Sequence, residues 1–133
     1  MRHLAVLAIL GFSCWSGFGQ DSAQWRACNA SANTQAELNQ CASEEAKRVD
    51  VELNDIYAKL LLKLSKDPDA TLKVRAMERA WIAYRDPYLA ATYPAKDKQH
   101  AYGSMFPMEF DLVHATLTRR QVTALTELLL SHD

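Results

Sequence analysis

Four polar residues sit on the rims of two apolar stripes, and their types and spacing are the ones in this chain that could do chemistry. Asp50 and Asn54 flank Leu53 and Tyr57 in one stretch; Glu78 and Arg85 flank Trp81 in the next. Carboxylate, amide and guanidinium groups meeting at a helix contact form charge-assisted hydrogen bonds. The spacing predicts a network there, most directly Asp50 with Arg85, that fixes register rather than turning over a substrate. Catalysis asks for polar groups converging by motif, and the chain has no glycine-rich phosphate loop, no HExxH and no nucleophile elbow. Glu44 and Glu45 are adjacent, so on a helix they point to different sides and form no acid/base couple. His100, His114 and His132 are scattered and read as surface residues. No catalytic residue, cofactor or metal site is expected.

The element that must position Asp50 and Asn54 runs from Thr34 to Leu64. Leu38, Ala42, Ala46, Val49, Leu53, Ile56, Tyr57, Leu60 and Leu64 share one face at 100° per residue, which predicts one amphipathic helix. Thr34 and Glu37 make a capping box at its start, and Asp67-Pro68 marks its stop. Such a rod is roughly 45 Å long at 1.5 Å per residue, so shorter elements should pack along it. Between Thr34 and Asp55 six acidic residues, Glu37, Glu44, Glu45, Asp50, Glu52 and Asp55, face Lys47 and Arg48, a local balance of −4. Acid first and base last also suits the helix dipole, and Glu44–Arg48 and Asp55–Lys59 are expected as i,i+4 pairs. Glu44, Glu45, Glu52 and Asp55 are candidates for docking a basic partner.

The second helix is expected from Asp67 as N-cap, with Pro68 at its first position, to about Asp86, antiparallel to the first and burying Ala70, Val74, Met77, Trp81 and Tyr84. Pro87 to Pro107 lacks a period and holds three of the four prolines, which predicts a long loop. Its Tyr88, Tyr93 and Tyr102 either form a binding surface or cover the helices beneath. A last helix is expected from about Met108 to Ser131, with Leu112, Ala115, Val122, Leu125 and Leu129 along one stripe.

The bulk numbers agree with a small all-α bundle of about three helices. The chain has 133 residues, 49% hydrophobic and 23% charged, with a net charge of −1 and no basic stripe, which gives no basis for nucleic-acid binding. Residues 1–19 read as a signal peptide, with an apolar run from Leu4 to Phe12 too short to span a bilayer, which leaves 20–133 as the domain. Cys14 after Ser13 offers a lipid anchor as the alternative, though Gly11 and Phe12 fit that signal poorly. Export then favours a disulfide between Cys28 and Cys41, tying an irregular arm or short helix at residues 21–33 to the long helix; two free thiols are the alternative.

Taken in order, Cys28, the run Thr34-Gln35-Ala36-Glu37-Leu38-Asn39-Gln40-Cys41-Ala42, Asp50, Leu53-Asn54, Tyr57, the run Arg79-Ala80-Trp81-Ile82-Ala83-Tyr84-Arg85-Asp86, and Leu117-Thr118 with Arg120 resemble the LprI-like lysozyme inhibitor family. The resemblance covers nearly all of residues 20–133. It implies an exported or lipid-anchored, helical, disulfide-bonded bacterial protein, periplasmic or secreted, whose partner is a protein, with lysozyme the one the family's name points to. It places Thr34, Glu37, Asp50, Asn54, Tyr57, Trp81, Tyr84, Arg85 and Asp86 among structural motif residues. Sequences of this family usually carry a second cysteine pair, absent here, and a glutamine where this chain has Glu78. The expected function is therefore a non-enzymatic lysozyme inhibitor, with a general envelope interaction or assembly module as the alternative.

Overall fold

The computed structural model describes residues 22–132, so the expected signal peptide and Cys14 lie outside the described residues. Five α-helices follow in order: α1 (Ala23–Ser31), α2 (Gln35–Lys63), α3 (Pro68–Thr92), α4 (Lys98–Tyr102) and α5 (Phe106–Ser131), with a 3-10 turn at Gly103–Met105. No strand occurs among the described residues. The three long helices, α2, α3 and α5, form the bundle.

α2 begins where its capping box places it. The Thr34 hydroxyl accepts from the Glu37 N–H at 3.2 Å, and the Glu37 carboxylate accepts from the Thr34 and Asn33 N–H groups. Those backbone donors hold the Glu37 carboxyl below the usual carboxylate range. Ala42, Ala46, Val49, Leu53, Leu60 and Leu64 of the expected stripe are buried, and Leu38, Ile56 and Tyr57 are half-buried.

α5 lies parallel to α2 along most of its length. The cross-contacts climb together: Asn39 donates to the Ser104 carbonyl, Asp50 meets His114, and Lys63 donates to the Leu129 carbonyl. α3 runs back between them in sequence, antiparallel to both, with Val74 joining Leu60, Leu64, Val122 and Leu125 in the core. Its N-cap is Asp67, which accepts from the Ala70 N–H at 2.9 Å, and Pro68 follows. Among the described residues the α2–α5 interface is the most extensive helix contact, and α3 meets α5 over a shorter stretch.

α3 does not stop at Asp86. It continues through Pro87 to Thr92, and the expected loop is largely helical. Proline removes one donor and crowds the carbonyl four residues back. Here Pro87 and Ala83 are both exposed, so water can serve that carbonyl. Beyond it, Leu89 and Tyr93 reach buried positions, which favours continuing the helix. The ring of Tyr93 packs edge-on to Tyr102 and Phe106 at 5.4 and 5.3 Å, and against Phe110 at 6.1 Å. This aromatic cluster closes the base of the bundle. Gly103, at φ 70° and ψ −164°, takes an extended positive-φ conformation open to glycine, which ends α4 and lets the chain turn into α5.

α1 is the short helix of the N-terminal arm. Cys28 and Cys41 are disulfide-bonded, with Cα atoms 5.7 Å apart, and Trp25 is buried beside Cys41 and Ala42. Replacing both cysteines by alanine is expected to lower stability by about 2–3 kcal/mol, because the unfolded chain regains the entropy of an open loop. Urea denaturation of the variant against wild type measures it, and a change below ~0.5 kcal/mol, the size of an ordinary surface substitution, would show that the bridge adds nothing.

Candidate functional site

The motif residues of α2 and α3 converge on one cleft. Asp50, Leu53, Asn54 and Tyr57 recur every three or four residues and so form one wall from α2; Arg75, Glu78, Arg79, Trp81, Ile82 and Arg85 form the other from α3. The space between them is about 370 Å³, within the range of small-molecule sites. It exists because α3 packs its backbone against α5 and stands further from α2, which it meets mainly through side chains.

The polar network of the cleft differs from the expected one. Asp50 does not pair with Arg85. Its Oδ1 lies 3.0 Å from His114 Nε2 and accepts from the Thr118 hydroxyl at 3.4 Å. The reason is α5, which fills the space beside Asp50 that a two-helix reading left to α3. His114 is accordingly half-buried, not a loose surface histidine. Arg85 instead donates to Asp86 at 2.8 Å, and its guanidinium lies 4.9 Å from the Trp81 ring centroid. Glu78, buried, accepts from Gln121 Nε2 at 2.8 Å. Both acids of the cleft thus direct an oxygen to α5.

A second polar centre was missed by the sequence reading. Glu45 is completely buried, and its carboxylate accepts from the Ser22 hydroxyl at 2.6 Å and pairs with Arg48 and Arg119. It joins α1's N-cap to α2 and α5. Burial pushes the Glu45 carboxyl up, but the Ser22 hydroxyl and the two guanidiniums outweigh it and leave it lowered. Glu45 therefore leaves the set of surface candidates. Arg48 pairs with Glu45 and not with Glu44, whose carboxylate accepts from Gln40. The one local signal was Arg48 three residues after Glu45; Ser22 and Arg119 lie 23 and 74 positions away, which no local spacing could connect.

The remaining candidates separate by exposure. Glu44, Glu52 and Asp55 are exposed, with Asp55 paired to Lys59 at 2.6 Å as expected. Tyr84 is exposed rather than buried, and its ring stacks obliquely on exposed Tyr88 at 5.7 Å. Tyr93 is buried, so it cannot present its ring to a partner; burial and nearby Glu109 and Tyr102 raise its phenol. Tyr102 is half-buried and accepts from the Ala95 N–H. Among the described residues no three His, Cys, Asp or Glu side chains gather into a possible metal site, and no helix is long and apolar enough to cross a membrane.

Comparison with known proteins bears on the whole of this architecture. The chain is 32% identical over 114 residues to an uncharacterised protein of Rhizobium meliloti (strain 1021), an alignment covering 77% of this chain and 78% of that protein. No solved structure matches. The family described as lysozyme inhibitor LprI matches residues 26–125, from just before the bridged Cys28 to the core residue Leu125. With that span holding the disulfide, both walls of the cleft and the α2–α5 interface, the chain belongs to the LprI lysozyme inhibitor family.

Proposed function

We propose that this protein is an exported, non-enzymatic binding module that inhibits a lysozyme by occluding its cleft. The observation that carries the reading is the family match across residues 26–125. The candidates that remain for contact are Glu44, Glu52 and Asp55 on α2, Tyr88 on α3 and the half-buried Tyr102 at the end of α4. Lysozymes are generally basic and cleave with two carboxylates in a cleft, so an acidic face would speed encounter and tyrosines would supply rigid contact area. With Glu45 buried and Asp55 paired, that attraction rests chiefly on Glu44 and Glu52.

The purified protein, added to a lysozyme turbidity assay, is expected to slow clearing in proportion to its concentration. Unchanged lysis at a large molar excess would remove the inhibitor reading. If the acidic face steers encounter, Glu44→Lys with Glu52→Lys is expected to weaken inhibition about 10-fold at low salt and much less at high salt, as rim charges act mainly on association rate.

A further inference from the structure

We propose that the α2–α3 cleft is a binding site for a small ligand that carries a carboxylate beside a compact hydrogen-bonding body. Four of its side chains have no protein partner for their polar groups. Asn54 and Tyr57 on α2, and Arg75 and Arg79 on α3, make no hydrogen bond or ion pair among the described residues. The other polar members are engaged: Asp50 with His114 and Thr118, Glu78 with Gln121, Arg85 with Asp86 and the Trp81 ring. What faces the open space is thus a pair of guanidiniums opposite an amide and a phenol.

Charge and geometry then select the ligand. Arg85 is paired to Asp86, and Asp50 and Glu78 each turn an oxygen to an α5 side chain, so the charged donors left to the open space are the guanidiniums of Arg75 and Arg79. Arg75 and Arg79 are one turn apart on the same helix face, close enough for both to reach one planar anion. Guanidinium forks match a carboxylate bidentately, which a point charge would not. Asn54 can donate and accept, and Tyr57 likewise, as suits an amide or hydroxyl on the rest of the molecule. Leu53 and Ile82 give that body apolar surface. A volume of about 370 Å³ fits one sugar ring or two amino-acid residues rather than a folded partner. Two sources share this chemistry: a carboxylated amino sugar and the free C-terminus of a short peptide.

The test is a titration followed by the NMR signal of the Trp81 indole N–H, assigned by its loss in Trp81→Phe. Three probes are added to the purified protein at millimolar concentrations: N-acetylmuramic acid, alanyl-alanine, and N-acetylglucosamine as a ring without the carboxylate. A saturable shift is expected with a carboxylate probe and none with N-acetylglucosamine, and the better carboxylate probe identifies the source. Arg75→Ala and Arg79→Ala are each expected to weaken that binding about 10-fold or more, the loss of a charge-assisted contact, with unchanged circular dichroism. Both arginines are exposed, so these variants should fold. No saturable shift with either carboxylate probe, equal binding of N-acetylglucosamine, or wild-type affinity in both arginine variants would overturn the site. The readout is binding and not lysis, so it stands or falls apart from lysozyme inhibition.

Discussion

Replacing Glu45 by alanine is expected to cost about 3–4 kcal/mol of folding stability, a large share of the roughly 5–15 kcal/mol of an ordinary domain. The carboxylate is fully buried, and its removal takes an acceptor from the Ser22 hydroxyl, Arg48 and Arg119 at once; Ser22 and Arg48 keep their bond to each other, whereas Arg119 loses its ion pair. Breaking a buried pair from one side leaves the other charge without compensation. Arg48 and Arg119 retain 36% and 20% of their side-chain exposure, so water softens the loss toward the lower end of that range. Glu45→Gln keeps the shape and some of the hydrogen bonds and should cost less. Because the folded state lowers this carboxyl, its stabilisation is fully present above the unfolded carboxylate pKa and disappears as pH falls through the folded value. Urea midpoints from neutral to acid pH should therefore fall in wild type and flatten in Glu45→Ala; parallel curves would refute the ionic role.

Leu60→Ala is expected to cost about 3–5 kcal/mol. Leu60 is 0% exposed, and it lies in the core cluster with Leu64, Val74, Val122 and Leu125, where α2, α3 and α5 all contribute. Truncation loses the transfer energy of the deleted carbons and leaves a cavity that three helices cannot all close upon. Leu62, two residues on and 75% exposed, provides the contrast: Leu62→Ala should stay within about 0.5 kcal/mol. Thermal or urea denaturation compares the two, and equal losses would mean that the α2 stripe is not what holds the bundle.

The α2 stripe was legible in the sequence because it is written in local rules. A capping box, a 3.6-residue period and an Asp-Pro stop all act within a few residues, and the observed Gln35–Lys63 helix agrees with them. The cysteine pair was legible on other grounds: with residues 1–19 set aside as a leader, Cys28 and Cys41 are the two cysteines left to pair. Pro87 misled because local propensity speaks for one residue, whereas α3 continues past it to bury Leu89 and Tyr93. The cleft was half legible: Asp50, Asn54, Trp81 and Arg85 do meet there, yet the partners of Asp50 come from His114 and Thr118 on α5. Nothing in the spacing of α2 and α3 announces a third helix between their rims. Arg75 had no place in the sequence reading and Arg79 only that of opening a family run, because a solvated charge and a cleft-lining one look alike until the opposite wall is in place.

The parallel pairing of α2 with α5 also sets the order in which this chain can become itself. Parallel neighbours cannot be joined by a short turn; the chain must travel the length of α3 and cross the base through α4 before α5 can dock. The contacts that complete the molecule, Glu45 with Arg119 and Asp50 with Thr118, join residues 74 and 68 positions apart. Closing so long a segment is entropically costly and slow relative to local helix formation. The disulfide, by contrast, closes over a sequence separation of 13. A chain emerging in an oxidising compartment would thus secure its N-terminal hairpin early, while the face of α2 that bears Leu60 waits, open to water and to other chains, for its own C-terminal helix to arrive.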